Sequence, residues 1–76
     1  METYKNLNGD SGITHFKIGK DYIEVKFKES VTVYVYHSSK VGKHHIDTMK
    51  KLAVSGKGLS AYISQHPEVK NNYSIG

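Results

Sequence analysis

Residues 53–63 read Ala-Val-Ser-Gly-Lys-Gly-Leu-Ser-Ala-Tyr-Ile, and this stretch decides how the second half of the chain folds. A helical pattern precedes it, and the Ser-Gly pair ends that pattern, because glycine is the favoured residue just past a helix. Leu59, Tyr62 and Ile63 then recur at the spacing of a second, short helix, which Pro67 stops. The stretch therefore predicts a corner between two helices, with positive φ at one or both glycines.

The helix before this corner is predicted over residues 40–54. Its apolar stripe consists of Val41, His45, Ile46, Met49, Leu52 and Ala53. Gly42 weakens the first turn, so a start nearer Lys43 is the alternative.

Three strands are predicted upstream of the helices, over Ile13–Ile18, residues 22–28 and residues 31–37. In the second strand Ile23, Val25 and Phe27 alternate with charged residues. This alternation is typical of an antiparallel sheet that is covered on one side only.

The third strand has two apolar faces, valines on one and Tyr34 and Tyr36 on the other. A two- or four-residue hairpin loop would place the tyrosines on the side of Phe27, and a three- or five-residue loop would place the valines there. The connection, Glu29-Ser30, lacks the Asn-Gly signal that selects one loop length.

The order strand, strand, strand, helix, helix predicts the α+β class: a three-stranded antiparallel β-meander followed by two C-terminal helices packed on one face. The 76 residues are expected to form a single small domain. A loose N-terminal arm is predicted over residues 1–12, with a strong turn cluster at its end. A polar tail is predicted over residues 68–76.

The basic residues are all lysines, eleven of them, and the net charge is +4. Lysine attracts anions but lacks the planar fork with which arginine reads guanine or grips phosphate. The absence of cysteine excludes disulfides and thiolate metal sites. No apolar run has the length of a membrane helix and no signal-peptide pattern is present, so a cytoplasmic protein without a membrane partner is expected.

The five histidines do not predict a metal site. His44 and His45 project about 100° apart on a helix, and no thiolate assists them. No nucleophile, base and orienting group occur at informative spacing. The sequence therefore predicts a non-enzymatic protein without catalytic residues, metal or cofactor. Its histidines are expected at the surface or at helix ends, with His45 partly packed.

The glycines of the corner offer a second interpretation. Ser55, Gly56, Lys57 and Gly58 precede a helix, and their backbone N–H groups are candidates for binding an anion. The spacing is not that of a P-loop. A structural corner is the favoured interpretation.

The uncovered side of the sheet supplies the candidate binding surface. If the tyrosines face outward, they lie among lysines and form a stacking platform for single-stranded nucleic acid. We call this arrangement the Tyr/Lys face. Its candidate residues are Lys17, Lys26, Lys28, Tyr34 and Tyr36. Lys57 at the glycine corner and Tyr62 on the second helix are further candidate nucleic-acid contacts. The alternative is that the tyrosines are core or dimer contacts.

Three segments resemble the KTSC family, small domains also found at the C-terminus of some lysyl-tRNA synthetases. The first is Ile-Glu-Val-Lys-Phe at residues 23–27, and the second is Val-Tyr-Val-Tyr at residues 33–36. The third is Ser55-Gly56-Lys57-Gly58-Leu59 followed by Tyr-Ile. The chain departs from the family in lacking a proline at the start of its long helix and basic residues after Ile63.

This resemblance implies a strand-then-helix order and a module associated with RNA. Together with the Tyr/Lys face it predicts a non-enzymatic binding module whose partner is nucleic acid, RNA first. A protein-interaction or homodimerisation module is the alternative, with a protein or a second copy of the chain as partner.

Overall fold

A meander of three strands forms the centre of the sheet: β2 at Ile13–Ile18, β3 at Tyr22–Phe27 and β4 at Val33–His37. A computed structural model describes residues 1–9 and 11–76. Asp10, which belongs to the predicted arm and its turn cluster, lies outside the described residues. Neighbouring strands of the meander pair antiparallel, which confirms the predicted α+β class with an antiparallel sheet.

Two short strands extend this sheet to five strands within residues 1–9 and 11–76. β1 at Glu2–Thr3 pairs with β2, and β5 at Ser74–Ile75 pairs with β4, giving the order β1-β2-β3-β4-β5. The expected three-stranded sheet is thus corrected to five strands. The predicted loose arm and polar tail also contain more structure than expected, because each supplies an edge strand. Two residues are too few to show the alternation that marks a strand.

The helical half of the chain contains four helices in the described residues, where two were predicted. They are α1 at Ser38–Val41, α2 at Lys43–Ser55, α3 at Leu59–Gln65 and α4 at Pro67–Lys70. Gly42, with φ of 98°, separates α1 from α2, as the alternative start near Lys43 predicted. In the described part of the chain, no helix is both long enough and apolar enough to cross a bilayer.

The core lies between one face of the sheet and the helices. Phe16 of β2 and Ile23 and Val25 of β3 meet Met49 of α2 and Leu59 of α3 in one buried cluster. The predicted stripe of α2 is therefore the face that packs on the sheet. The same cluster includes Tyr4 and Val69, one from each predicted terminal segment.

The pairing of β3 with β4 settles which face of β4 is covered. Ile23 lies opposite Tyr36 and Val25 lies opposite Tyr34. Residues directly opposite in an antiparallel pair point to the same side of the sheet. Both tyrosines therefore lie on the side of the helices, as the two- or four-residue loop predicted.

Gly56 joins α2 to α3 at a point where the backbone is left-handed and closely packed. Its φ is +83°, and a Cβ added there would lie 2.6 Å from Cβ of Lys5. We expect Gly56→Ala to destabilise the fold by more than the roughly 1–2 kcal/mol of a left-handed residue alone, because the Lys5 segment must also move. Urea denaturation measures the difference.

Gly9→Ala is the matched control. Gly9 also has positive φ, +75°, but an added Cβ would meet no atom of the described residues beyond its chain neighbours within 4 Å. Equal losses of stability in the two variants would show that the close approach of Lys5 is unimportant.

Candidate functional site

The Tyr/Lys face predicted from the sequence is not assembled in the structure. Tyr36 is buried, with 3% of its surface exposed, and Tyr34 is half-buried on the same, helix-covered side. Lys17 and Lys26 lie opposite Glu24 and His15, on the uncovered side, and Lys28 lies in the connection after β3. Tyrosines and lysines are thus separated by the thickness of the sheet. The reason is the β3–β4 register, which the sequence leaves open.

The remaining predicted residues lie on the helices and at their junction. Tyr62 of α3 packs against His45 and His66. Lys57 is exposed between α2 and α3. The seven candidate residues therefore belong to several different surfaces.

The glycine corner, residues 55–58, has the geometry expected of a structural turn. Gly56 and Gly58 have φ values of 83° and 84°, which confirms the prediction of positive φ. Ser55 Oγ donates a hydrogen bond to the carbonyl of Leu52, and the Leu59 N–H donates to the hydroxyl of Tyr4. Among the candidate anion donors, the Gly56 N–H is occupied, because it donates to the carbonyls of Leu52 and Ala53. Anion binding at the corner stays a prediction.

An aromatic groove opens between the covered face of the sheet and the helices α3 and α4. Its cavity has a volume of about 450 Å³, a size typical of ligand pockets. Strand β4, the end of β3, the two helices and the segment before β5 all contribute to its wall. The lining residues are Phe27, Tyr34, Tyr36, Ser60, Ile63, Ser64, Lys70, Asn71 and Tyr73.

The aromatic rings of the groove pack edge to face. The centroid of Tyr34 lies 5.5 Å from Phe27 and 4.7 Å from Tyr73, and Tyr36 lies 6.4 Å from Tyr73. Tyr73 is 42% exposed, so part of its ring faces the solvent. Part of the aromatic surface of the groove is therefore open to solvent.

The floor of the groove contains a tyrosine whose ionisation is suppressed. Burial, together with the neighbouring Tyr34 and Tyr73, raises the pKa of Tyr36 to about 12. The Tyr36 hydroxyl therefore keeps its proton throughout the neutral range.

A polar cleft lies on the other flank of α3, with a cavity of about 220 Å³. Asn6, Asn8, Ser11 and Lys57 supply polar groups to it, and it shares Ser60 and Ser64 with the aromatic groove. Between the two cavities α3 thus presents small side chains.

A histidine cluster, formed by His44, His45, Tyr62, His66 and Glu68, joins the helices. His45 is 6% exposed; its Nδ1 lies 2.6 Å from the Tyr62 hydroxyl and its Nε2 lies 3.6 Å from a Glu68 oxygen. His66 stacks on the Tyr62 ring, with centroids 4.0 Å apart. In residues 1–9 and 11–76, no group of three or more metal-binding side chains is positioned to hold an ion.

This cluster was not predicted, because the adjacent His44 and His45 were weighed only as a metal-binding pair. His45 lies on the apolar stripe of α2, and a polar residue on such a stripe needs a buried partner. That requirement predicts a buried partner for His45, but it does not identify the partner as Tyr62, 17 positions later.

Fold and groove together define a small α+β domain with a ligand-sized cavity between sheet and helices. Comparison with protein-family models, curated proteins and solved structures finds no match. The resemblance to the KTSC family therefore stays a prediction that rests on the segments quoted above.

Removal of the Tyr62 hydroxyl tests the role of the histidine cluster. We expect Tyr62→Phe to lower the free energy of unfolding by about 0.5–1.5 kcal/mol, because the bond to His45 is lost while the ring stays stacked. Urea denaturation gives the value. Tyr22→Phe is the matched control on the uncovered side of the sheet, and a loss no larger than that of the control would contradict the assignment.

Alkaline unfolding tests the burial of Tyr36. In the unfolded chain this tyrosine ionises near its ordinary pKa of 10.0, and in the folded chain near 12. Above pH 10 the unfolded state therefore binds fewer protons, and the stability that Tyr36 contributes is lost as the pH rises towards 12. Tyr36→Phe lacks this loss. The free energy of unfolding of Tyr36→Phe should therefore rise relative to that of wild type between pH 10 and 12. A difference between the two proteins that stays constant with pH in urea denaturation would contradict the raised pKa of Tyr36.

Proposed function

We propose that this chain is a non-enzymatic module that binds single-stranded nucleic acid, RNA first, with bases inserted in the aromatic groove. The observation that carries the proposal is the pairing of partly exposed aromatic rings, Tyr34 and Tyr73, with the lysine Lys70 at one concave site. Aromatic surfaces stack on any base, at about 1–3 kcal/mol per base.

The charge of the chain supports the same proposal. Lys70 lines the groove, and Lys57 lines the polar cleft beyond the shared serines of α3. Phosphates on either side of an inserted base would meet these ammonium groups. Lysine is suited to this task, because phosphate attraction requires positive charge and no reading of base edges.

The proposed site differs from the surface predicted from sequence. Lys17 and Lys26 lie on the uncovered side of the sheet. In this proposal they add to the net charge of +4 that draws a polyanion towards the protein, and they do not contact the inserted base.

A protein-interaction or homodimerisation module remains the alternative. The observation in its favour is apolar surface at the same edge of the sheet: Tyr73 and Ile75 are 42% and 66% exposed. Strand β5, to which Ile75 belongs, pairs with β4 and ends the sheet on that side.

Titration of the isotope-labelled protein with short oligo-uridine and oligo-adenosine tests the proposal by NMR. We expect shifts to cluster on Phe27, Tyr34, Ile63, Lys70 and Tyr73. Affinity should fall with salt, with a slope of about −0.7 per phosphate contact in a log–log plot. Tyr73→Ala should weaken binding by about fivefold or more, since a stacking surface is lost.

Charge-matched variants provide the control. Lys70→Gln and Lys26→Gln change the net charge equally, but only the first removes a charge from the groove. A larger loss of affinity for Lys70→Gln supports the groove. Equal losses, or shifts centred on Lys17 and Lys26, contradict it. Absence of shifts in a sample that scatters light as a dimer favours the alternative module.

A further inference from the structure

The loop that connects β1 to β2 contains an Asn-Gly pair, Asn8-Gly9, and both residues are exposed. The Gly9 N–H donates to the carbonyl of Asn6 at 2.9 Å, and the Asn6 amide is hydrogen-bonded to the backbone of Ser11 in both directions. Asn8 lines the polar cleft together with Lys57. The pair therefore belongs to the wall of a cavity and to a short surface turn.

Asn8 differs from the other asparagines of the chain in the residue that follows it. The chain has four asparagines, and only Asn8 precedes a glycine. Because glycine has no side chain, its backbone nitrogen can approach the amide of the preceding residue without steric obstruction. The amide of Asn6 is in addition held by Ser11, and that of Asn72 donates to the carbonyl of Glu68.

We propose that Asn8 is a site of spontaneous deamidation, and that its conversion to aspartate or isoaspartate weakens the attraction of the polar cleft for phosphate. The reaction at Asn8 requires water and no other ligand. Its effect on phosphate rests on the proposed function.

The reaction uses the backbone nitrogen of Gly9 as the nucleophile. This nitrogen gives up its proton to hydroxide or a buffer base and bonds to Cγ of Asn8, while the Cγ–Nδ2 bond breaks and the amide group leaves as ammonia with a proton from water. Water then adds to one of the two carbonyl carbons of the resulting cyclic imide and breaks its bond to the Gly9 nitrogen, which regains a proton. Opening at Cγ gives aspartate, and opening at the main-chain carbonyl gives isoaspartate.

The hydrogen bond of Gly9 determines how far the fold retards this reaction. The Gly9 N–H must leave the carbonyl of Asn6 before its nitrogen can attack. Residues 7–9 are all exposed, so the turn can open locally while the core stays packed. A single hydrogen bond of this kind slows the reaction by about two- to tenfold.

The product changes the charge of the cleft. A neutral amide becomes a carboxylate, so the net charge of +4 falls by one. The new negative charge belongs to the cavity that Lys57 also lines, where it repels phosphate and competes with it for the ammonium group. Lys57 is exposed, so the effect of this single charge is modest and is screened by salt.

Peptide mapping by mass spectrometry, after incubation of the folded protein in mildly alkaline buffer, tests the reaction. Asn8 should convert before the other three asparagines, with isoaspartate among the products. Its conversion should be about two- to tenfold slower than in the chain unfolded by guanidinium chloride. Asn8→Gln is the matched control, because it keeps an amide that must close a larger ring, and it should stay unconverted. Conversion that begins at another asparagine, or conversion of Asn8 in the unfolded chain alone, overturns the proposal.

Asn8→Asp tests the effect on phosphate. This variant should bind oligo-uridine about two- to fivefold more weakly than wild type at low salt, and the difference should shrink as salt is added. Lys26→Gln is the control, since it lowers the net charge equally on the uncovered side of the sheet. Equal losses in the two variants overturn the effect on the cleft. Failure of wild type to bind any oligonucleotide overturns the proposed function and this effect, whereas the peptide map still decides the reaction at Asn8.

Discussion

The pairing of β3 with β4 is the constraint on which the rest of the molecule depends. With Ile23 opposite Tyr36 and Val25 opposite Tyr34, two tyrosines enter the helix-covered side of the sheet. A shift by one residue would exchange them for valines and expose the tyrosines among the lysines. The same register thus fills the core, lines the groove and keeps Tyr34 and Tyr36 off the uncovered side. One geometric choice thus decides which of two candidate surfaces the tyrosines belong to.

The terminal segments of the chain contribute further residues to the core and to the groove. Helix α4 brings Lys70 to the groove, and the segment before β5 brings Tyr73 against Tyr34. At the other end, Tyr4 enters the core and its hydroxyl accepts the Leu59 N–H of α3. A chain of this size buries a limited fraction of its surface, so terminal segments that dock supply a substantial part of its core. The groove is therefore built by residues that local sequence patterns describe as arm and tail.

Polar contacts between the helices restrict how the packed helices are oriented relative to one another. The bond between His45 and Tyr62 ties α2 to α3, and Glu68 brings α4 to the same histidine. Apolar packing is tolerant of small rotations, whereas a buried hydrogen bond has a required distance and angle. His45 was recognisable in the sequence as part of an apolar stripe. Its partners were not, because they follow the corner at Gly56 and their approach depends on the angle at which α3 leaves it.

Local patterns by themselves determined the α+β class, the three central strands, the stripe of α2 and the positive φ of the glycine corner. Each of these follows from a period or a backbone preference that acts within a few residues. Only the tertiary structure decided the side on which Tyr34 and Tyr36 lie, the two edge strands, the histidine cluster and the groove. The edge strands, the histidine cluster and the groove depend on contacts between segments far apart in the chain. The side of the tyrosines depends on the register of the β3–β4 hairpin, for which the sequence contains no local turn signal. The free energy of the whole core selects among such pairings, and no single segment contains that information.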